Sequence, residues 1–433
     1  MFVPLDATPR DYAWGSTTLM SEMLGTTPSG EPEAELWLGA HPGRPTPIAQ
    51  GATVSDHVDL AEWFASDPRT ALGDLDELPF LLKILAAAHP LSLQAHPSLV
   101  RAGEGFDDEE RRGIPLDAPH RNYKDRLHKP ELIVALRDGF RALCGFRELA
   151  GTDALLADLA STAPTAEHRA QIEGLRESLG APDGLRTTVA RVLGEPARDL
   201  VAAVVAAASN ANVTANSNGA SESRADTTAP TAGGLGGDAS SDFAAERALV
   251  ARLTEEYPGD PGIVVATLVN LVTLSEGEAL YLPAGNIHAY LDGIGIELMA
   301  ASDNVLRGGL TPKHVDVPEL LDVLDFEPRP VPRLEPTVLA DGLSLFVPWD
   351  VPDFELLRAD VSDADAASTP EFDLPGPAIA IVTDGQVTIT GADGSTTLDR
   401  GRYAFVTPDE ARLRFSGSGT VFVATTQENA PTS

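Results

Sequence analysis

Cysteine, lysine and positive charge are all scarce in this 433-residue chain. Cys144 is the single cysteine, which excludes an intrachain disulfide and any zinc site built on paired cysteines. Lysine and arginine together number 31 against 65 aspartates and glutamates, a formal net charge of −34. Binding nucleic acid in general needs a basic face to neutralise phosphates, and none is visible. Net charge governs solubility and long-range steering while a pocket is decided by local groups, so a phosphorylated small substrate remains compatible with it. Also missing is any run of about 18 apolar residues, and the opening segment MFVPLDATPRDYAWGS lacks a basic stretch followed by an apolar core. No membrane partner is therefore expected, and the expected location is the cytoplasm. The sequon at Asn212, Val213 and Thr214 then has no use, because glycosylation requires a secretory route.

Only four lysines occur, Lys83, Lys124, Lys129 and Lys313, and each lies in or beside a segment with other unusual features. The plain alternative is an arginine-biased composition whose last lysines are scattered by chance.

What is present is enough chain for two or three domains, with an ordinary hydrophobic content of 43%. Residues 1–100 mix short apolar runs with Gly/Pro breaks, the pattern of strands and short helices, and from Pro97 to Leu127 the chain turns charged. Helical spacing takes over from residue 149, in LLADLASTAPTAEHRAQIEGLRESLG and LRTTVARVLGEPARDLVAAVVAAA. Residues 209–242 are low in complexity and nearly devoid of large apolar side chains, which predicts a disordered loop on that helical part. Strands return after residue 256, first in GIVVATLVNLVTLSEGEALYLPAGNIHAYLDGIGIELMA and then through an all-β stretch over 330–426. The expected organisation is a mainly β chain interrupted by a helical insertion over 149–255. Its flanking β segments, 1–148 and 256–316, form one unit, and 317–433 forms another.

Three segments carry chemistry. In LSLQAHPS, residues 91–98, alternation puts Leu91, Leu93 and Ala95 on one face of an extended chain and Ser92, Gln94 and His96 on the other. In HKPELIVAL, Pro130 suits a strand entrance, and Lys129 and Glu131 share a face. A carboxylate at the mouth of an otherwise apolar strand is costly to bury without a partner, which a divalent cation would supply. The third segment, GEALYLPAGNIHAYLD over 277–292, has the form G, five residues, PxG, two residues, H. It resembles the second conserved motif of cupin barrels, with Asp292 where that motif usually has Asn. A lone histidine is more often a satisfied core residue, but this spacing together with the other polar strands favours His288 as a metal ligand. Two imidazoles, a carboxylate and an amide oxygen from Gln94, His96, Glu131 and His288 suit a borderline cation such as zinc, with room for water or substrate.

At this point the chain resembles the type I phosphomannose isomerases, zinc enzymes of the cupin superfamily. The stretches that carry the likeness are YAWGS, AELWLGAHP, LPFLLKIL, LSLQAHPS, YKDRLHKPEL, ALCGFR, LPAGNIHAY and ASDNVLRGGLTPKH, in order from residue 12 to residue 314. The resemblance implies two cupin-like jelly-roll barrels plus a helical domain, and one zinc per chain on Gln94, His96, Glu131 and His288. It implies an active-site Arg307, with Lys83, Ser92, Lys129 and Lys313 facing the sugar phosphate or its reacting hydroxyls. Lys124 receives no role and is expected to face solvent. Leu127 stands where relatives often carry Asn, and the low-complexity loop is an extra insertion. Residues beyond 330 keep barrel-like Gly and Pro spacing without histidines, so the second barrel is expected to be structural and free of metal.

The implied reaction interconverts an aldose and a ketose phosphate, mannose 6-phosphate and fructose 6-phosphate, by moving a proton between C1 and C2 through an enediol. Zinc would polarise the oxygens, Arg307 would stabilise developing negative charge, and one of His128, Lys129, Tyr290 and Asp303 would shuttle the proton. The only partner expected is a small sugar phosphate, with the chain acting as a monomer. Two other readings fit the same barrel: an iron-dependent cupin oxygenase, disfavoured because Gln with only two His is unusual for oxygen chemistry, and a metal-stabilised sugar-binding barrel without turnover.

Overall fold

The computed structural model describes residues 1–54, 56–194, 197–218, 243–362 and 369–427. Among these residues the strands gather into two nine-stranded sheets, and a cluster of helices interrupts the first of them in sequence, between Phe140–Phe146 and Val269–Leu274. A mainly β chain with helices is what the sequence predicts.

The first sheet contains the strands Phe80–Ala87, Gln94–Ala95, Glu131–Ala135, Phe140–Phe146 and His288–Ala300, paired antiparallel throughout. His288–Ala300 organises it. Its first half pairs with Gln94 and with Phe140–Phe146, and its second half pairs with Phe80–Ala87 and Glu131–Ala135. Gly293 lies where the pairing changes. Its φ is +118°, and a Cβ there would come within 2.8 Å of the Phe140 Cα, so only glycine fits the bend.

Phe80–Ala87 is buried along its whole length, which explains why LPFLLKIL reads as a continuous apolar run. Phe80, Leu82, Ile84 and Ala86 pack with Ile294, Ile296 and Leu298 and with Ile379, Ile381, Phe405 and Phe422 of the second sheet, so one core joins the two sheets. Leu85 and Ala87 point the other way, into a second cluster with Ile133, Ala135, Leu280, Leu282 and Tyr290. Period-two alternation puts Lys83, Glu131 and His288 on that same face. They form its polar end.

The helices Leu149–Thr162, Ala166–Leu179, Gly184–Gly194, Arg198–Asn218 and Ala244–Glu256 share a core that includes Leu155, Leu159, Ile172, Leu175, Val189, Val204 and Leu253. Leu93 and Ala95 belong to it too. The apolar face of LSLQAHPS is therefore covered by the insertion, which turns Gln94 and His96 the other way. Arg247 pins the insertion together, its Nη2 2.5 Å from Asp158 Oδ2 and its Nη1 donating to the Ala207 carbonyl at 2.8 Å. Arg198–Asn218 runs into the stretch read from sequence as a loop, and residues 219–242 lie outside the described residues.

The second sheet is built from the C-terminal strands, with Phe2–Pro4 added at one edge by pairing with Tyr403–Val406. The start of the chain thus crosses to the C-terminal sheet. No described helix is long and apolar enough to cross a membrane.

Candidate active site

His96, Glu131 and His288 converge from three strand segments, with one ligand atom from each lying within 4.8 Å of the others. All three are buried. Glu131 sits between the rings, its Oε1 3.2 Å from His96 Nε2 and its Oε2 3.3 Å from His288 Nε2. Gln94 is paired in register with His288 on one side and with Arg307 on the other, so adjacent strands bring amide, imidazole and guanidinium side by side. The Pro-Ala-Gly corner before His288 works as the sequence suggests: Gly285 has φ +80°, and its N–H donates to the His96 carbonyl at 2.9 Å. One ligand's backbone thus anchors the turn that delivers another.

The hydrogen bonds fix which ring atoms face Glu131. His96 Nδ1 is 2.7 Å from the Asn304 carbonyl and His288 Nδ1 is 3.1 Å from the Asn286 carbonyl. A carbonyl only accepts, so both rings carry their proton on Nδ1 and aim the Nε2 lone pair at Glu131. Those two Nε2 atoms and Glu131 Oε2 have no hydrogen-bond partner. Burial lowers the pKa of His96 to about 4, which keeps the ring neutral. For Glu131, burial acts upward, but the Lys129 ammonium at 3.0 Å opposes it, and the carboxyl is held well below its usual range. Two nitrogen atoms and a carboxylate turned toward one point are what a divalent cation requires, and the donor set suits zinc.

Lys129 links this cluster to a cavity of about 510 Å³ lined by Tyr12, Trp14, Glu35, Trp37, Lys83, Leu116, Lys124, Lys129, Asp303, Val305, Arg307 and Lys313, among others. Its cations fall into two groups. Lys83 is held by carboxylates, 2.9 Å from Glu297 and 3.5 Å from Glu35, and Lys129 is held by Glu131. Burial disfavours the Lys83 ammonium, yet Glu297, Glu35 and Glu131 overcome that and raise its pKa. By contrast, Arg307 and Lys313 form no ion pair among the described residues, and burial lowers the pKa of both, with Arg307 adding to the effect on Lys313. Lys124 gives one hydrogen bond to the Leu116 carbonyl at 2.6 Å. The uncompensated positive charge lies at Arg307, Lys313 and Lys124.

Of the residues singled out in the sequence, Lys83, Lys129, Asp303, Arg307 and Lys313 line the cavity, and His96, Glu131 and His288 form the adjoining cluster. Tyr290 is buried beneath, its ring 6.1 Å from that of His288. Its pKa is raised well above the usual value by burial and then by Glu297 and Glu131. Ser92 is not among the cavity residues. His128 is not among the cavity residues either, its Nε2 lying 3.1 Å from both oxygens of Asp353, just before the strand Glu355–Val361. Lys124, expected to face solvent, lines the cavity instead, because its backbone N–H is drawn in by the Asn304 side chain at 2.7 Å.

Sequence reasoning missed Glu35, His41 and Glu297. Glu297 is fully enclosed, its pKa raised by burial against the pull of Lys83. His41 lies 3.3 Å from Asp303, and this contact is the main cause of the lowered pKa of Asp303.

Residues 2–149 match the family described as phosphomannose isomerase type I, catalytic domain. Along nearly its whole length the chain is similar to the mannose-6-phosphate isomerase of Escherichia coli (strain K12), 35% identical over 95% of this chain and 96% of the relative. It is also similar to that of Rattus norvegicus, at 31% identity over 95% and 94%. Among solved structures, mannose 6-phosphate isomerase from Salmonella typhimurium bound to substrate and zinc aligns with a TM-score of 0.79 at 31% identity, covering 98% of this chain and 99% of that one. A mannose 6-phosphate isomerase bound with zinc and yttrium gives the same TM-score and coverage.

Proposed function

The chain belongs to the type I phosphomannose isomerase family, and from that premise we propose that it interconverts mannose 6-phosphate and fructose 6-phosphate, using one zinc ion held by Gln94, His96, Glu131 and His288. The observation that carries the reading is the buried set of unsatisfied atoms, His96 Nε2, His288 Nε2 and Glu131 Oε2, next to a cavity whose free cations suit a phosphate monoester. Family membership selects isomerisation over the oxygenase and the non-catalytic sugar-binding barrel. The two sheets are read as cupin-like jelly-roll barrels, the first from 1–148 with 256–316 and the second from 317–433, with 149–255 as the helical insertion.

Zinc held there would supply Lewis acidity toward the carbonyl and hydroxyl oxygens at C1 and C2. The chain's own groups do the rest. Lys313 and Lys124, toward the open part of the cavity, bind the phosphate as point charges. Arg307, in register with Gln94, stabilises negative charge as the substrate passes through an enediol. Proton transfer between C1 and C2 falls to Asp303 or Lys129, the two of the four candidates that line the cavity. Asp303 is held in its ionised form by His41, which suits a base. Lys129 is bound to Glu131 and suits hydroxyl positioning. Trp14 and Trp37 wall the cavity with apolar surface that limits water around the reacting carbons. A monomer and the cytoplasm are the assembly and the location carried forward.

The test is a coupled assay of mannose 6-phosphate turnover on protein stripped with a chelator and then reloaded with zinc. Activity should vanish and return. Folded, zinc-loaded protein that does not turn over the substrate would refute the assignment.

A further inference from the structure

The loop Ser302-Asp303-Asn304 follows the longest strand of the first sheet and meets the segment 124–127 across a dense set of hydrogen bonds. Asn304 is completely buried. Its Oδ1 accepts from the N–H groups of Lys124 (2.7 Å) and Asp125 (3.3 Å), and its Nδ2 donates to the carbonyls of Asp125 (3.0 Å) and Leu127 (2.8 Å) and to Asp125 Oδ1 (3.1 Å). Asp125 closes the clasp from the other side. Its carboxylate accepts from Ser302 Oγ at 2.8 Å, from the Leu127 N–H at 2.9 Å and from the Asp303 N–H at 3.0 Å. A buried amide whose donors and acceptors are all used leaves its own backbone a single position.

That backbone does one further thing: the Asn304 carbonyl accepts from His96 Nδ1 at 2.7 Å. We propose that Asn304, clasped by Asp125, is a positioning residue for the metal site, holding the carbonyl that fixes the tautomer and ring direction of His96. The inference rests on the zinc-isomerase reading and names a determinant of metal affinity that touches neither metal nor substrate. Its logic is general. A ligating imidazole whose other nitrogen is held by a fixed acceptor presents its lone pair without reorganising, and loss of such an outer partner typically weakens metal binding by about 10–100-fold. The Asn304 carbonyl is the one hydrogen-bond partner of the His96 ring among the described residues, since its Nε2 has none.

The experiment measures the zinc dissociation constant of the full chain by competition with a chromophoric chelator, beside urea stability. The variants are Asn304→Ala, the milder Ser302→Ala, and Arg247→Met in the helical insertion. The expected result is zinc binding weakened by about 10–100-fold in Asn304→Ala and by a smaller factor in Ser302→Ala. Arg247→Met should lose urea stability with its zinc affinity unchanged, which separates positioning from general loosening. Should Asn304→Ala fail to fold, Ser302→Ala carries the test. Zinc affinity within about twofold of the parent in the folded clasp variants, well short of the loss expected for an outer partner, would overturn the inference while leaving the zinc site intact. A parent protein that takes up no zinc would instead overturn the reading beneath it.

Discussion

Replacing Lys83 by methionine separates a cation that serves the fold from one that serves the substrate. Lys83 Nζ is 2.9 Å from Glu297 and 3.5 Å from Glu35, and the three side chains are 7%, 3% and 10% exposed. At an effective dielectric of about 20, each contact represents roughly 5 kcal/mol of Coulomb attraction, much of it offset by desolvation. Removing the cation leaves two buried carboxylates without it, a change that typically costs about 3–5 kcal/mol. The pH dependence gives a sharper signature. Burial already raises the pKa of Glu297, with Lys83 opposing and Glu131 and Glu35 adding to the rise, and loss of Lys83 pushes it further. A carboxyl whose folded pKa lies above its unfolded value, about 4.3, binds more protons when native. Stability then falls as pH rises between the two values, by up to about 1.4 kcal/mol per pH unit. Lys83 itself has a raised pKa, so its contribution is fully present below the unfolded lysine value of about 10.4 and the parent loses none of it between about pH 5 and 9. Urea unfolding of the zinc-loaded proteins at about pH 5, 6.5 and 8 should therefore put Lys83→Met near the parent at the acid end and furthest below it at the alkaline end. Adding Glu297→Gln should recover most of the deficit. A deficit under about 1 kcal/mol at about pH 8 with no added pH slope would refute this account. An intact stability with a raised KM would return Lys83 to the substrate-facing role that the family resemblance implies.

Zinc at about a hundred times its dissociation constant should stabilise the parent by about 2.7 kcal/mol, seen as a higher melting temperature. Glu131→Gln should abolish that increment, and an unchanged increment would remove Glu131 from the ligand set. Lys313→Ala should raise KM for the sugar phosphate by about tenfold with kcat little changed, the loss of one charge-assisted contact, and the effect should shrink at high salt. Arg307→Ala should mainly lower kcat, by about 10²–10³-fold, and a pure KM effect would assign it to phosphate binding instead. Arg247→Met should cost about 2–3 kcal/mol in urea and leave kcat and KM alone, which steady-state kinetics on the folded variant would check.

Where the sequence is legible here, it is through charged or polar residues on strands that are otherwise apolar. Gln94 and His96 alternate with Leu93 and Ala95, which the helical insertion covers, and Lys129 and Glu131 alternate into Ile133 of the inner cluster. Each polar stripe could be seen without knowing what it faced. Partners are a different matter, because they are set by register between strands far apart in sequence. Lys83 and Glu297 are 214 residues apart and meet because they are directly paired across Phe80–Ala87 and His288–Ala300. A lone carboxylate needing a cation is what marks Glu131, and Glu297 within GIGIELMA stands in the same position and could have been found the same way. The same alternation explains His128: it is out of phase with Lys129 and Glu131, so when those face the site, His128 turns toward Asp353, in the segment that leads into the strand Glu355–Val361. Composition misleads at Ser209, where polarity rises but the backbone stays helical to Asn218. The preceding turns bury Val201, Val204, Ala207 and Ala208, and a helix already nucleated by that packing extends at little cost per residue. Side-chain polarity decides whether a segment can be buried. Whether it stays ordered depends on what the segment before it is packed against.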